Sequence, residues 1–475
     1  MSLRKTCVFS LLFSSAMLAF SSTSVTVTLP GNGTSLGSPV NYVASASTTC
    51  AAGISAMGIF TAPGVRAYKI SANKLNTNIN LPKGSYNTFV QAWDKCGGAG
   101  KKSINITVSK INLARPKFLY ATEYKAGKIA GYKVNSLTGS VTPTNQFEAW
   151  AHFGPVDMAS DYWGNHLYVA NAGSHDLSAY AIDRTTGKLT QISGSPYALV
   201  GSGGHVGMHP SGRFVYATTT TFKGGNYGIH AFVVQSNGSL VRVAGSPFGG
   251  SELANPSAIV VTKNYVYVSA SGKGFGGIGA FSIDQTSGGL TPVPGSPFPT
   301  PDGEVPDSLS TNATRNYLYA NLSGADAIAG YAIDPKTGIL KDLPGSPYIE
   351  GTHNPNFPKG PYVVQVDPNG KFVFASDLFQ PEFSVFKRDL NTGVLTFVNS
   401  YSWPGVCFPD NMNIDPSGTF LYTMASAGSF CGGPSTMLGF SLNQANGSLN
   451  SVLGPLFLNS NLFTGTIGEK VLVTR

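Results

Sequence analysis

The sequence predicts an all-β chain, a small β-sandwich followed by a seven-bladed β-propeller, and three observations predict it. The first is composition. Only 11% of the 475 residues are charged, whereas 42% are hydrophobic and 11% aromatic, with 57 Gly and 30 Pro to supply turns. Such a chain has the material for a large core and the punctuation of many short strands. The second is a repeat: Phe118-Leu119-Tyr120-Ala121 returns as His166-Leu167-Tyr168-Val169 and Phe214-Val215-Tyr216-Ala217, and then four more times. The central aromatics are 48, 48, 51, 52, 55 and 48 residues apart. The third is that each copy carries material for about four strands, which at this period is the signature of a propeller blade.

The elements follow in order. Arg4 and Lys5 precede an apolar stretch from Cys7 to Phe20, and Ala19-Phe20-Ser21 is a small-x-small cleavage pattern. Residues 1–21 are therefore expected to be a secretory signal peptide, making the protein exported: periplasmic, cell-surface or secreted. No later segment has the length and apolarity to cross a membrane. Residues 22–109 read as short strands, with Val25, Val27 and Leu29 alternating with polar residues at one end and Ile104, Ile106 and Val108 at the other. Residues 110–116 form a linker, and 117–475 the propeller.

Within each copy a tight turn such as Asp367-Pro368-Asn369-Gly370 or Asp415-Pro416-Ser417-Gly418 precedes the aromatic strand. A strand such as Ser178-Ala179-Tyr180-Ala181-Ile182-Asp183 follows it, then a Thr-Gly turn and a short outer strand. Four copies close with Gly-Ser-Pro and an aromatic, at Tyr197, Phe248, Phe298 and Tyr348. The first copy lacks an inner strand of its own, and the apolar tail from Leu462 to Arg475 is unclaimed. Closing the ring with strands from both chain ends would leave no open sheet edge.

Two resemblances attach to these residues. The segment Gly84-Ser85-Tyr86 followed by Phe89-Val90-Gln91-Ala92-Trp93-Asp94 resembles the late strand and turn of bacterial immunoglobulin-like domains, so the sandwich is expected to be immunoglobulin-like. The Tyr-containing strands, Asp-Pro-Ser-Gly turns, Ile-Asp-x-x-Thr-Gly turns and Gly-Ser-Pro-aromatic closures together resemble the lactonase-type seven-bladed propellers, related to the YVTN surface repeats and including 6-phosphogluconolactonase. Of the cysteines left after cleavage, Cys50, Cys96, Cys407 and Cys431, three pairings are possible. The domain reading pairs Cys50 with Cys96 in the sandwich and Cys407 with Cys431 on the seventh blade.

The resemblance implies a site of His, Arg and Glu on the face formed by the loops that join second to third strands and blade to blade. A cation there holds the developing oxyanion and a base activates water. Here no inner strand opens with Arg: Pro155-Val156-Asp157, Pro256-Ser257-Ala258, Pro306-Asp307-Ser308, Pro361-Tyr362-Val363 and Pro409-Asp410-Asn411 stand in those places. Arg184, Arg213, Arg315 and Arg388 fall in turns of the opposite face, and Arg242 on an outer strand. The arginine-based site is expected to be missing.

Other groups converge on the same face. Asp157, His205, Asp307 and Asp410 start inner strands, and Glu123, Asn171, Asn321 and Asp377 end second strands. His205 and Asp307 are the candidate catalytic pair, and Asp157, His205, Asp307, Asp410, Glu123 and Asp377 the candidate ligand-binding set. Such carboxylates with a His are also a donor set for a channel-bound divalent cation. The competing reading, which the sequence favours, has each Asp capping a strand or turn by accepting backbone N–H groups. No cofactor is expected. Cations occur singly, with no run longer than Lys101-Lys102, which argues against a nucleic-acid partner. The expected function is an exported binding or surface module for an unidentified small molecule, glycan or envelope protein, with a lactone hydrolase of rebuilt site as the alternative.

Overall fold

The structure is a computed structural model. It describes residues 21–474 apart from 39, 63–64, 80, 82–83, 112–116, 145–148, 151, 221–227, 250–252, 254–255, 257, 273–274, 302, 304, 313–314, 323, 350–359, 378–381, 403–408, 426–435 and 458–469. All its regular elements are strands, in two compact units that divide between Asn112 and Leu113. Residues 1–20 of the expected signal peptide 1–21, together with Cys407 and Cys431, lie outside the described residues.

The first unit holds two sheets. Thr23–Leu29, Val40–Thr48 and Lys74–Ile79 form one; Thr34–Ser38, Ala99–Ile111, Gly84–Asp94, Ile54–Ala62 and Val65–Ile70 form the other, in that spatial order. Period-2 alternation decides which side of each strand is buried. Tyr42, Met57, Ile59, Val90, Ala92 and Ile106 fall on inward positions and share one core. Cys50 and Cys96 sit in the turns after Val40–Thr48 and Gly84–Asp94 and are bonded, with Cα atoms 5.9 Å apart. Beside them the Asp94 carboxylate accepts from Ser21, Thr23 and Thr48 hydroxyls at 2.6–2.8 Å and from the backbone N–H groups of Cys96 and Gly98. These donors, Thr23 foremost and against the pull of burial, hold its carboxyl well below the usual carboxylate range.

The second unit is seven antiparallel sheets. Their inner strands are Val471–Thr474, Pro155–Ser160, Ser202–Met208, Ile259–Val261, Leu309–Thr311, Pro361–Val366 and Pro409–Ile414, which number blades 1 to 7. Each inner strand contacts the next all the way round the ring. The strand Val471–Thr474 pairs antiparallel with Phe118–Glu123, so the first and last strands of the propeller unit both build blade 1.

One device repeated between blades explains the sequence repeat. The central Tyr of a second strand donates its hydroxyl to the carbonyl of the glycine that ends the turn after the third strand of the next blade: Tyr120 to Gly187 at 2.8 Å, Tyr216 to Gly288 at 3.0 Å, Tyr422 to Gly139 at 2.7 Å across the closure. Tyr168, Tyr267 and Tyr319 do the same to Gly238, Gly338 and Gly393. The ring two residues earlier packs against that glycine. At Gly187, with φ at 79°, a Cβ would stand 2.5 Å from the Phe118 ring, so both conformation and space require Gly. The Gly-Ser-Pro closures have a second purpose. The hydroxyls of Ser195, Ser246, Ser296 and Ser346 accept the N–H groups of Ala179, Ala231, Ala280 and Gly330 in the third strands, completing the ladder where the outer strand bends away.

Candidate functional site

The candidate site is built on the starts of the inner strands. In four blades a polar side chain of the second strand accepts the backbone N–H of one inner-strand residue: Thr122 from Lys470, Thr218 from His205, Ser269 from Ala258 and Asn321 from Ser308, at 2.7–2.9 Å. Ser308 in turn accepts the N–H of Val364 on the next inner strand, and Asn411 that of Val471. Asp157 does likewise with Val206, at 3.0 Å. Lys470, Asp157, His205, Ala258, Ser308 and Asn411 therefore occupy one equivalent position around the ring. Charge is confined to three adjacent blades.

There the side chains meet. His205 Nδ1 lies 3.2 Å from Asp157 Oδ2, and Lys470 Nζ lies 3.4 Å from Asp157 Oδ1. Asp157 is buried, while His205 and Lys470 are partly exposed. Burial pushes the Asp157 carboxyl up, but the Lys470 ammonium, the His205 ring and the Val206 N–H outweigh it and hold the carboxyl well below the usual range. A buried carboxylate thus orients one imidazole and one ammonium, a base and a cation side by side.

The remaining sequence-derived candidates are placed differently. Asp307 is exposed and stands one residue before Ser308, and the strand itself begins at Leu309. It is out of register with Asp157, because neighbouring residues of an extended chain point to opposite sides. Asp410 likewise immediately precedes Asn411 within Pro409–Ile414; only its backbone is described. Glu123 and Asp377 are buried at second-strand ends, facing Lys128 and Pro361 in register. Asn321 binds backbone on two blades, and Asn171 donates to Asp176 and Ser178. The same carboxylate, Asp176, lies 2.7 Å from Nδ1 of His152, a second oriented imidazole on this face.

Sequence reasoning missed Lys470 and His152. Lys470 stood in the unclaimed tail, although Lys470-Val471-Leu472-Val473 can be laid on His205-Val206-Gly207-Met208. His152 carried no repeat signal. Among the described residues, the only group of three or more metal-ligating side chains within reach of one another is Cys50, Asp94 and Cys96, two of which form the disulfide.

The described propeller arginines are all engaged elsewhere. Arg184 donates to the Trp163 carbonyl, Arg213 to Gln285 and Thr286, Arg315 to Val261, and Arg388 to Gly370 and Asp389. Arg242 lies against the His230 ring and the Ala198 carbonyl.

Comparison with known proteins adds to this geometry. A putative 6-phosphogluconolactonase from Bacteroides fragilis superposes with a TM-score of 0.61 at 18% identity, over 77% of this chain and 99% of the other. The periplasmic gluconolactonase PpgL of Pseudomonas aeruginosa gives 0.61 at 17% identity, over 76% and 99%. No curated protein sequence matches the chain. At these identities the structures share the fold. The sequence model described as "Lactonase, 7-bladed beta-propeller" matches residues 90–200, 205–353 and 350–452, and with most of its length so matched the chain belongs to the lactonase family of seven-bladed β-propellers.

Proposed function

We propose that this chain is an exported binding module built on a lactonase-type propeller without the family's arginine-based site. The observation that carries this reading is the use of the arginines: each of the five described in the propeller is committed to a backbone carbonyl or to a buried ring away from the inner-strand starts. The position of Asp157 supports it too. Ser308 and Asn411 make the same inter-blade bond, so Asp157 is part of the stitching of the ring as much as of a site. The sandwich, whose sheets follow the A-B-E and G-F-C orders of an immunoglobulin domain with one strand added at each edge of the G-F-C sheet, serves as the appended binding or spacer module. Export is supported by the basic and apolar N-terminus and by the disulfide. Among the described residues no helix is long and apolar enough to cross a membrane.

The Asp157–His205–Lys470 cluster favours one second reading, hydrolysis of a lactone. His205, oriented through Nδ1, would take a proton from water at its other nitrogen. The hydroxide attacks the lactone carbonyl, Lys470 holds the oxyanion, and the ring oxygen leaves with the proton returned by His205. The deciding experiment is turnover of 6-phosphogluconolactone and of a neutral lactone by the mature chain, with and without calcium. The binding reading expects none above background. Turnover that disappears in His205→Ala would replace it with the hydrolase.

A further inference from the structure

The sandwich carries a surface that the lactonase-type propeller does not explain. On the longer sheet, Val90, Ala92, Met57 and Ile59 face the core, so Phe89, Gln91, Trp93, Phe60 and Gly58 face outward. The solvated side of such a sheet is normally polar. Here Phe60 and Phe89, paired across strands, stack at 4.6 Å with their planes 5° apart, and Trp93 meets Phe60 edge-on at 6.1 Å. All three are partly exposed. Gly58 keeps the surface open beneath Trp93: a Cβ there would stand 3.3 Å from the indole and 3.1 Å from the Tyr68 carbonyl.

Cations rim this strip on both sides. Arg66 and Lys69 pair in register with Phe60 and Gly58 on the neighbouring strand, and Lys101 pairs with Gln91 on the other. Lys69 Nζ sits 6.0 Å from the Trp93 ring and Lys101 Nζ 5.8 Å from the Phe89 ring. The imbalance extends through the module. Residues 22–111 hold eight Lys and Arg against one acid, Asp94, a net charge of +7, whereas residues 113–475 hold 21 against 22, a net charge of −1. Asp94 is buried among its five donors and offers nothing to this face.

We propose that this outward sheet face docks an acidic polysaccharide. Lys69 and Lys101 stand three strand spacings apart, roughly 14 Å, so one polymer crossing the strands meets a cation on either side of the aromatics. Its carboxylates pair with Arg66, Lys69 and Lys101, and C–H groups of its sugars pack against the exposed ring edges of Phe60, Phe89 and Trp93. A single-stranded nucleic acid needs open ring faces for its bases, and these are covered: Phe89 by Phe60 and Lys101, Trp93 by Lys69. A membrane needs side chains that project into it, and these lie half-buried along the flat of a sheet. The proposal is independent of whether the propeller turns over lactones.

The test is affinity electrophoresis and calorimetry of the mature full chain with polygalacturonate, with dextran as the neutral control. The wild type should bind polygalacturonate, lose it as salt rises, and ignore dextran. Lys69→Ser/Lys101→Ser should weaken binding by about tenfold or more, and Lys69→Arg/Lys101→Arg should retain it. The melting profile of each variant shows that the sandwich is folded. No binding to polygalacturonate, equal binding by the Ser variant, or tighter binding to oligo(dT) or phosphatidylglycerol vesicles would overturn the proposal.

Discussion

The sandwich and the propeller are both all-β, and they are held together by opposite means. The sandwich has one core, one disulfide and one carboxylate gathering five donors from two loops and the N-terminal strand. Among its described residues the propeller has no disulfide, and its carboxylate clusters at Asp367 and Asp415 each close a single turn. It repeats a modest bond, a Tyr hydroxyl on a turn glycine of the next blade, around most of the ring. The small unit depends on a few concentrated restraints because its core is limited. The large one spreads the load, so losing one contact leaves the others in place.

The sharpest way to break this comparison is to remove the disulfide. Cys50→Ser/Cys96→Ser is expected to destabilise the sandwich by about 2–4 kcal/mol and to leave the propeller transition unmoved. Trp93 is the sandwich's only tryptophan, against Trp150, Trp163 and Trp403 in the propeller, so with those three replaced by Phe its fluorescence during thermal unfolding follows that unit separately. A propeller transition that falls in step would mean that the two units unfold as one.

Acid separates the regions next. His230 is buried, and desolvation first, then the nearby Arg242 guanidinium, lowers its pKa to about 4. Burial and neighbouring cations lower His209 as well. A histidine more acidic in the folded than in the unfolded chain binds protons preferentially when unfolded. Stability is therefore intact above about pH 6.5 and is lost progressively as pH falls toward 4. For His230 the loss between pH 7 and 5 is on the order of 2 kcal/mol. The sandwich contains no histidine. Its acid weakness is Asp94, whose lowered pKa delays any loss until below about pH 4. Differential scanning calorimetry from pH 7 to 5 should show the propeller melting earlier while the sandwich holds, and His230→Gln should flatten most of that slope. A sandwich that tracks the propeller would sink the argument.

How much of this was legible in the sequence follows from the range of the interactions. Strands and turns are local, so seven copies of the aromatic strand, each followed by a turn that closes on Gly, identify the blades. The bond that makes them recur joins residues about 70 positions apart in chain order, or 283 across the closure. The repeat shows that both are needed, and only the fold shows that they touch. Asp307 and Asp410 stand one residue before the position that Asp157 and His205 share, a difference that only the strand pairing shows. The pairing skips a residue there in blades 2, 6 and 7, at Val156, Tyr362 and Asp410. The basic face of the sandwich is not legible in the sequence because Arg66, Lys69 and Lys101 look scattered along the chain and gather only when the strands pair.

The smallest expected effect tests the repeated bond itself. Blade 6 has Phe374 where the other blades have Tyr, and the glycine it faces on the next blade is Gly447, whose φ of 79° and packing against Phe372 match the other turns. Phe374 is fully buried, so an added hydroxyl is unfavourable unless it finds an acceptor. At the other joints it finds one, and burial pushes those phenols well above their usual pKa, so they remain donors at any physiological pH. Tyr216→Phe should therefore cost the propeller about 1 kcal/mol, and Phe374→Tyr should gain up to about 1 kcal/mol by completing the circuit. Urea unfolding of the two variants reads both. If Phe374→Tyr destabilises, the blade 6–7 joint is spaced differently from its fellows, and the load is shared by six joints rather than seven.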